Sequence, residues 1–485
     1  MTSTTTPATG GDTGGDTGGG AGAGALDALL AGVGDASAAP GDLLAVSTDR
    51  SGTPPGTAAR AVVRPRTAAE VQHVLRWCTA TGTPVVPRGA GSGLAGAAVA
   101  EAGGVVLDLS RMDRIVELDP AEQVAVVEPG VVTADLDAAA AAHGLMFAPD
   151  PGSVGISTVG GNIATNAGGL RGAKHGVTRD AVLGLDVVLA DGRLISVGRR
   201  TVKGVTGYDL VSLFTGSEGT LGVVVCATVR LLPRPQHVTT AAAFFPAVED
   251  AAGAAAAITA SGVRPLLLEL VDGPVLAAID AARGSDLAAR GAAFLLVQTD
   301  GTGAAQEMER LVEVVRPFAS SVRTAADPAE AERLVAARRD ALPSLERLGR
   351  LLIEDVAVPR SRLPEAVRGV KEAGARHGVP VYVVAHAGDG NLHPVLLLEG
   401  DHDGTGIPPA AQRAADDIFA LALELGGTVT GEHGVGTLKL AHAARELGED
   451  VLGLQQQLKA VFDPAGVLNP GKALPAPANG TRNPR

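Results

Sequence analysis

The chain has 485 residues, 46 % of them hydrophobic but only 2 % aromatic, and a formal net charge of −13. That length exceeds what one core organises, so at least two substantial domains are expected, with Ala and Val rather than aromatic rings supplying much of the packing. The acids are spread along the chain with no Lys/Arg-rich stripe, which argues against nucleic acid as a partner, and two cysteines, Cys78 and Cys226, point to a reducing compartment and are too few for a four-thiolate iron–sulfur cluster.

Residues 1–25, rich in Gly, Thr and Asp, have no basic start and no leucine-rich run, so they are read as a disordered tail rather than a signal peptide. Residues 474–485 are read the same way. No apolar run of about 18 residues could span a bilayer; a cytoplasmic protein is expected, peripheral at a membrane only through a partner. From Ala59 the pattern is strand (ARAVV), helix from Thr67 to Thr81 with Val71, Val74, Leu75 and Cys78 on one side, then strand (TPVVP). A Gly-rich loop follows, then the β-like runs VVLDLS, IVELD and QVAVVEPG, a helix from about Thr133 to His143, and a second Gly-rich stretch from Pro149 to Gly172. The runs LGLDVVLADG, RLISVG and GTLGVVVCATVRLLP close a first domain, 26–235. Beyond PRPQ, strands such as HVTTAAAFF, PLLLELV and AAFLLVQTD alternate with Ala-rich helical segments, which predicts an α+β domain over 236–430. A Gly-punctuated segment, 431–473, ends the ordered chain.

The loop Arg88-Gly-Ala-Gly-Ser-Gly-Leu-Ala-Gly96 contains a formal GxGxxG directly after a strand. Its context is wrong for a dinucleotide-binding βαβ unit, because only AAVAEAG separates Gly96 from the next strand, too little for a crossover helix. Its physical use survives: glycines allow close backbone approach, so successive amides can cradle an anion. The second stretch interleaves Gly, Ser, Thr and Asn with small apolar residues, and so can lay N–H groups and short polar side chains along a diphosphate and a flat ring.

Near the far end, VPVYVVAH and NLHPVLLL flank a Gly-Asp-Gly turn, the pattern of a hairpin with His386 and His393 near its inner ends. Thr430-Gly-Glu432-His433-Gly adds a carboxylate and a third imidazole. Two His and one carboxylate with open positions suit Zn²⁺, Fe²⁺ or Mn²⁺.

The blocks PRGAGSGLAG, PDPGSVGISTVGGNIATNAGG and KGVTGYDLVSLFTGSEGTLGVV resemble, in order, the FAD-binding domain of the vanillyl-alcohol oxidase / p-cresol methylhydroxylase superfamily. HAGDGNLHP, TGEHGVGTLK and FDPAGVLNPGK resemble its group of glycolate oxidase flavin subunits, D-lactate dehydrogenases and D-2-hydroxyglutarate dehydrogenases; the likeness covers about residues 45–473. It implies an α+β fold, with a two-subdomain FAD-binding domain of the p-cresol methylhydroxylase type and an α+β substrate (cap) domain. It implies that Pro87, Arg88, Gly89, Ala90, Gly91, Ser92, Gly93 and Gly96, with Pro151, Gly152 and Ser153, hold the pyrophosphate. Thr158, Gly161, Asn162 and Gly168 would line the flavin, Val223 and Val224 would approach the adenine side, and Glu218, Gly222 and Asn469 complete the cofactor set. No His or Cys stands where some members attach the flavin covalently, so FAD is expected to be non-covalent.

By the same resemblance His386, His393 and Glu432 ligate a divalent metal, Asn391 contacts substrate, His433 is the general base, and Arg338 anchors the substrate carboxylate. The implied reaction is oxidation of a small D-2-hydroxy acid, D-lactate or glycolate, to the 2-oxo acid by hydride transfer to flavin N5. Leu342 and Ile353 stand where the hydroxyglutarate branch carries a threonine and a lysine, which argues against a dicarboxylate. The electron acceptor is left open between a quinone, an electron-transfer flavoprotein, a cytochrome and an iron–sulfur subunit. The alternatives are a flavin-binding subunit without turnover of its own, a D-2-hydroxyglutarate-type enzyme, and another alcohol oxidase of the superfamily.

Overall fold

A computed structural model describes residues 26–53, 59–201, 203–398 and 406–475. The tail expectations for 1–25 and for 476–485 lie outside the described residues. The N-terminal part holds two larger sheets and a two-stranded pair of Leu145–Met146 with Leu232–Pro233. In the first, β1 (Ala61–Val63) and β2 (Val85–Arg88) both lie parallel to β3 (Val105–Asp108), with a two-residue strand, Ala36–Ser37, antiparallel at the edge. Between β1 and β2 runs α1 (Ala68–Thr81). Thr67 and Glu70 form a reciprocal capping box at its start, and Val71, Val74, Leu75 and Cys78 are all buried against the sheet. Burial pushes the Cys78 thiol up to about 12, so this cysteine packs as a small apolar side chain.

The second sheet is antiparallel, with β4 (Ile115–Asp119), β5 (Val124–Val127), β6 (Val182–Val188), β7 (Leu194–Gly198) and β8 (Val223–Arg230) in the order β4-β5-β8-β6-β7. The helix predicted from Thr133 ends at Ala141. The second Gly-rich stretch is not wholly a loop: Val159–Thr165 forms a short helix, opened by the Thr158 hydroxyl accepting from the Gly161 amide.

From residue 238 onward the chain builds one eight-stranded antiparallel sheet. Its strands are β9 (Val238–Phe245), β10 (Leu267–Asp272), β11 (Ala293–Asp300), β12 (Ser321–Thr324), β13 (Leu351–Ile353), β14 (Val356–Ala357), β15 (Val381–His386) and β16 (Asn391–Leu397). They run β12-β9-β11-β10-β15-β16-β13, with β14 also pairing β16. Period-2 alternation sends neighbouring residues to opposite faces. Val383, Ala385, Leu392 and Leu396 enter one core under the helices Val248–Ala260, Leu363–His377 and Pro409–Glu424. Val384 and Val395 face the other side, where Ala341 and Leu345 pack on them.

The last segment returns to the first sheets. Leu468 bridges Val85, and the Asn469 amide donates to the Val85 carbonyl. Among the described residues no helix is long and apolar enough to cross a membrane.

Candidate active site

A cavity of about 820 Å³ lies where the glycine loops meet the face of the large sheet that carries His386 and His393, within the usual size of a cofactor pocket. Except for Gly96, Gly168 and Asn469, the flavin-loop candidates line it, together with Arg338, His386, His393, Glu432 and His433. The loop after β2 is braced from below. The Arg88 guanidinium donates to the carbonyls of Thr48 and Ala98 and lies so close under Gly91 that a Cβ there would fall 2.0 Å from its Nη2. At Gly152 a Cβ would instead meet nothing within 4 Å. This lining of backbone and short side chains around a long cavity fits a flat, phosphate-bearing cofactor such as FAD.

The three exceptions shape the cavity without lining it. A Cβ at Gly96 would fall 2.4 Å from the Thr437 hydroxyl, and one at Gly168 2.5 Å from Glu432 Oε2, so both glycines let the C-terminal loop close in. The Asn469 side chain donates to the carbonyls of Ala97 and Glu218 and ties the loops together. Asn391 is also absent from the lining; it is buried, its Oδ1 has no partner, and it stands against Gly431 behind the loop.

The hairpin of β15 and β16 pairs His386 with Asn391 and Val384 with His393, which puts both imidazoles on one face. Glu432 Oε1 lies 3.2 Å from His386 Nε2 and 3.1 Å from His393 Nε2. His386 Nδ1 meets both oxygens of Glu269 on β10, at 2.8 and 2.9 Å. A carboxylate can only accept, so His386 donates from Nδ1 to Glu269 and from Nε2 to Glu432, and a metal ion would take the place of the Nε2 proton. Burial alone would depress His386, but Glu269 and Glu432 outweigh it and hold its pKa well above the ordinary value. Glu432 responds in the opposite sense: burial would raise it, and His386 and His393 hold it well below the carboxylate range. Three buried donors around one point therefore call for positive charge. A divalent ion fits the donor set, with carboxylates behind each imidazole: Glu269 bonded to His386, and Asp355 Oδ1 3.8 Å from His393 Nδ1.

Glu269 and Asp355 are absent from the sequence-based candidates. Glu269 also pairs with Arg338, at 2.7 Å, and Arg338 is itself buried. Asp355 organises the loop that carries Glu432 and His433. Its Oδ2 accepts from the amides of Gly431, Glu432 and His433 at 2.8–3.0 Å and from the Thr430 hydroxyl at 2.7 Å. Glu218 accepts in the same way from the amides of Val435 and Gly436, and does so from a left-handed backbone, φ 51°, a strained conformation held by the bonds around it. The only sequence signal for Glu269 and Asp355 is acid inside an apolar run, one carboxylate in LLLELV and an adjacent pair in LLIEDVAV.

His433 stacks on His393 with ring centroids 4.9 Å apart and 10° between planes. Burial pushes its pKa down to about 4, against a partial opposing pull from Asp355. At neutral pH it is an uncharged imidazole on the cavity wall, able to accept a proton.

The chain matches the FAD binding domain family over residues 59–198 and the family described as FAD linked oxidases, C-terminal domain, over residues 234–473. It is 41 % identical over 416 residues to the glycolate oxidase subunit GlcD of Bacillus subtilis (strain 168), covering 85 % of this chain and 88 % of that protein. It is 37 % identical over 430 residues to a D-lactate dehydrogenase of Archaeoglobus fulgidus, covering 87 % and 94 %. A solved structure of p-cresol methylhydroxylase with substrate bound superposes with a TM-score of 0.76 over 93 % of this chain and 97 % of that one. Its 17 % identity carries the fold alone.

Proposed function

The chain belongs to the FAD-linked oxidase family, and from that premise we propose that it is a dehydrogenase of D-2-hydroxy monocarboxylates, of which D-lactate and glycolate are the simplest. The overall change is R–CH(OH)–COO⁻ to R–CO–COO⁻ with loss of one hydride and one proton. Non-covalently bound FAD supplies the two-electron acceptor for the hydride. A divalent ion, Zn²⁺, Fe²⁺ or Mn²⁺, held by His386, His393 and Glu432 would supply Lewis acidity that eases loss of the hydroxyl proton.

The protein's own groups do the rest. Arg338 uses Nη2 on Glu269, and its remaining N–H groups are the candidate anchor for the substrate carboxylate. His433, uncharged at neutral pH, takes the hydroxyl proton. The nearby Asp355 carboxylate offsets the charge His433 then carries. Asn391 lies against Gly431 with its Oδ1 unpartnered, and contact with substrate is kept here as its proposed role. Electrons then pass to a separate acceptor: a quinone, an electron-transfer flavoprotein, a cytochrome or an iron–sulfur subunit.

The observation that carries this reading is the convergence of His386, His393 and Glu432 beside His433 on the wall of the cavity that the glycine loops also line. In His433→Ala, flavin stays bound while its anaerobic reduction by D-lactate slows by roughly 10²–10⁴-fold, the usual worth of a general base. Unchanged reduction in that variant would remove His433 from the chemistry.

A further inference from the structure

The polar corner of the site and an apolar wall belong to the same sheet face, and the strand register fixes the step between them. Across the sheet, Glu269 pairs with His386 and Val271 with Val384; His386 pairs with Asn391, Val384 with His393, and Ile353 with Val395. Residues two apart on a strand point the same way. Moving one such step from the histidines, about 7 Å at the usual rise per residue, the face changes from His386 and His393 to Val384 and Val395, flanked by Ile353 on β13. All three of these apolar residues line the cavity, and Leu342 joins them from the helix Ala341–Glu346. Ile353 and Leu342 are only half-buried, so part of their apolar surface is turned to the cavity.

Two further arginines line the cavity, and each has a partner of its own. Arg339 is bonded to Asp150, at 2.9 Å, and Arg350 to the carbonyl of Gly406. A second carboxylate seated on the four wall side chains themselves would meet hydrocarbon, which offers it no donor. An aliphatic side chain would gain from the same surface.

Building on the 2-hydroxy-acid reading above, we infer that Val384, Val395, Ile353 and Leu342 form a side-chain subsite that makes longer aliphatic 2-hydroxy acids, of three- to four-carbon side chain, better substrates than glycolate or D-lactate. With the carboxylate on Arg338 and the hydroxyl at the histidine corner, R points along the strands toward that wall.

The test is the FAD- and metal-loaded protein under steady-state conditions with an artificial electron acceptor. It is assayed with glycolate, D-lactate, D-2-hydroxybutanoate, D-2-hydroxy-4-methylpentanoate and D-2-hydroxyglutarate. The expected result is a gain in kcat/KM of roughly four-fold per added methylene, ending highest at the methylpentanoate, with the glutarate lowest among the chiral acids. In Ile353→Thr, which keeps the β-branched shape, the methylpentanoate-to-lactate ratio of kcat/KM falls by roughly an order of magnitude. A kcat/KM that peaks at glycolate or D-lactate, or a best rate with the glutarate, would overturn the subsite while leaving 2-hydroxy-acid oxidation intact. Turnover of none of the five acids would sink the underlying reaction and the subsite together.

Discussion

Burial pushes single residues of this site toward the uncharged form, and neighbouring charges decide where that push fails. His433 is pushed down to about 4 and stays uncharged, whereas His386, equally buried, is held up by two carboxylates. The same force acts on Glu354, beside Asp355: burial pushes its carboxyl up to about 6, with Lys439 pulling partly back. The folded state thus holds the Glu354 proton more tightly than the unfolded chain does. That contribution to stability is complete below about pH 4.5 and is lost as pH rises through about 6, so the buried charge costs about 2 kcal/mol at pH 8. Glu354→Gln is accordingly expected to gain stability on wild type between pH 4.5 and pH 8, by about that amount. Denaturant unfolding at the two pH values measures this, and an equal difference at both would contradict it. His433 and Glu432 were legible in the sequence because a charged pair amid glycines is conspicuous. Glu269 and Asp355 were not: a carboxylate in an apolar run has no spacing signature, and Glu269 meets His386 117 residues on while Asp355 meets the Gly431 amide 76 residues on.

At the scale of elements, the hairpin and the Thr430–Gly436 loop each present their candidate metal ligands only because a third element holds them. The two histidines in VPVYVVAHAGDGNLHP could be placed on one hairpin from alternation alone, and the structure pairs Val384 with His393 accordingly. That β10 would lie beside β15 and bring Glu269 under His386 was out of reach, since strand order follows from packing of the whole sheet. The short helix Val159–Thr165 inside a Gly-rich stretch also escaped the pattern, because about two turns show no usable period. Two substitutions probe these supports. Glu269→Gln keeps the side-chain volume but loses the charge behind His386, and should weaken divalent-ion binding by about 10–100-fold, measured by competition with a chelator. Gly168→Ala would set a methyl 2.5 Å from Glu432 Oε2. The flexible carboxylate gives way, so metal content is expected to fall while flavin content and melting temperature hold. Retention of a full equivalent of metal would show that Glu432 has room to move and still bind.

Over the whole molecule, the two halves make a site that neither contains. The antiparallel and parallel sheets before residue 234 present the glycine loops; the eight-stranded sheet after it presents the imidazoles; and the C-terminal segment, pinned by Asp355 and Glu218, joins them. The α+β class and the flavin loops were legible because glycine spacing and alternation are local properties. The way the halves close on one cavity was not, because it depends on contacts such as Arg339 to Asp150 between distant segments. The central claim is that flavin and metal serve one substrate in this cavity. It is tested most directly by the flavin absorbance of anaerobic protein on adding D-lactate, before and after removal of metal by EDTA and after return of a divalent ion. Bleaching is expected, with its loss in metal-free but flavin-replete protein and its recovery when the ion is restored. Bleaching that persists at full rate once the metal is gone would contradict it.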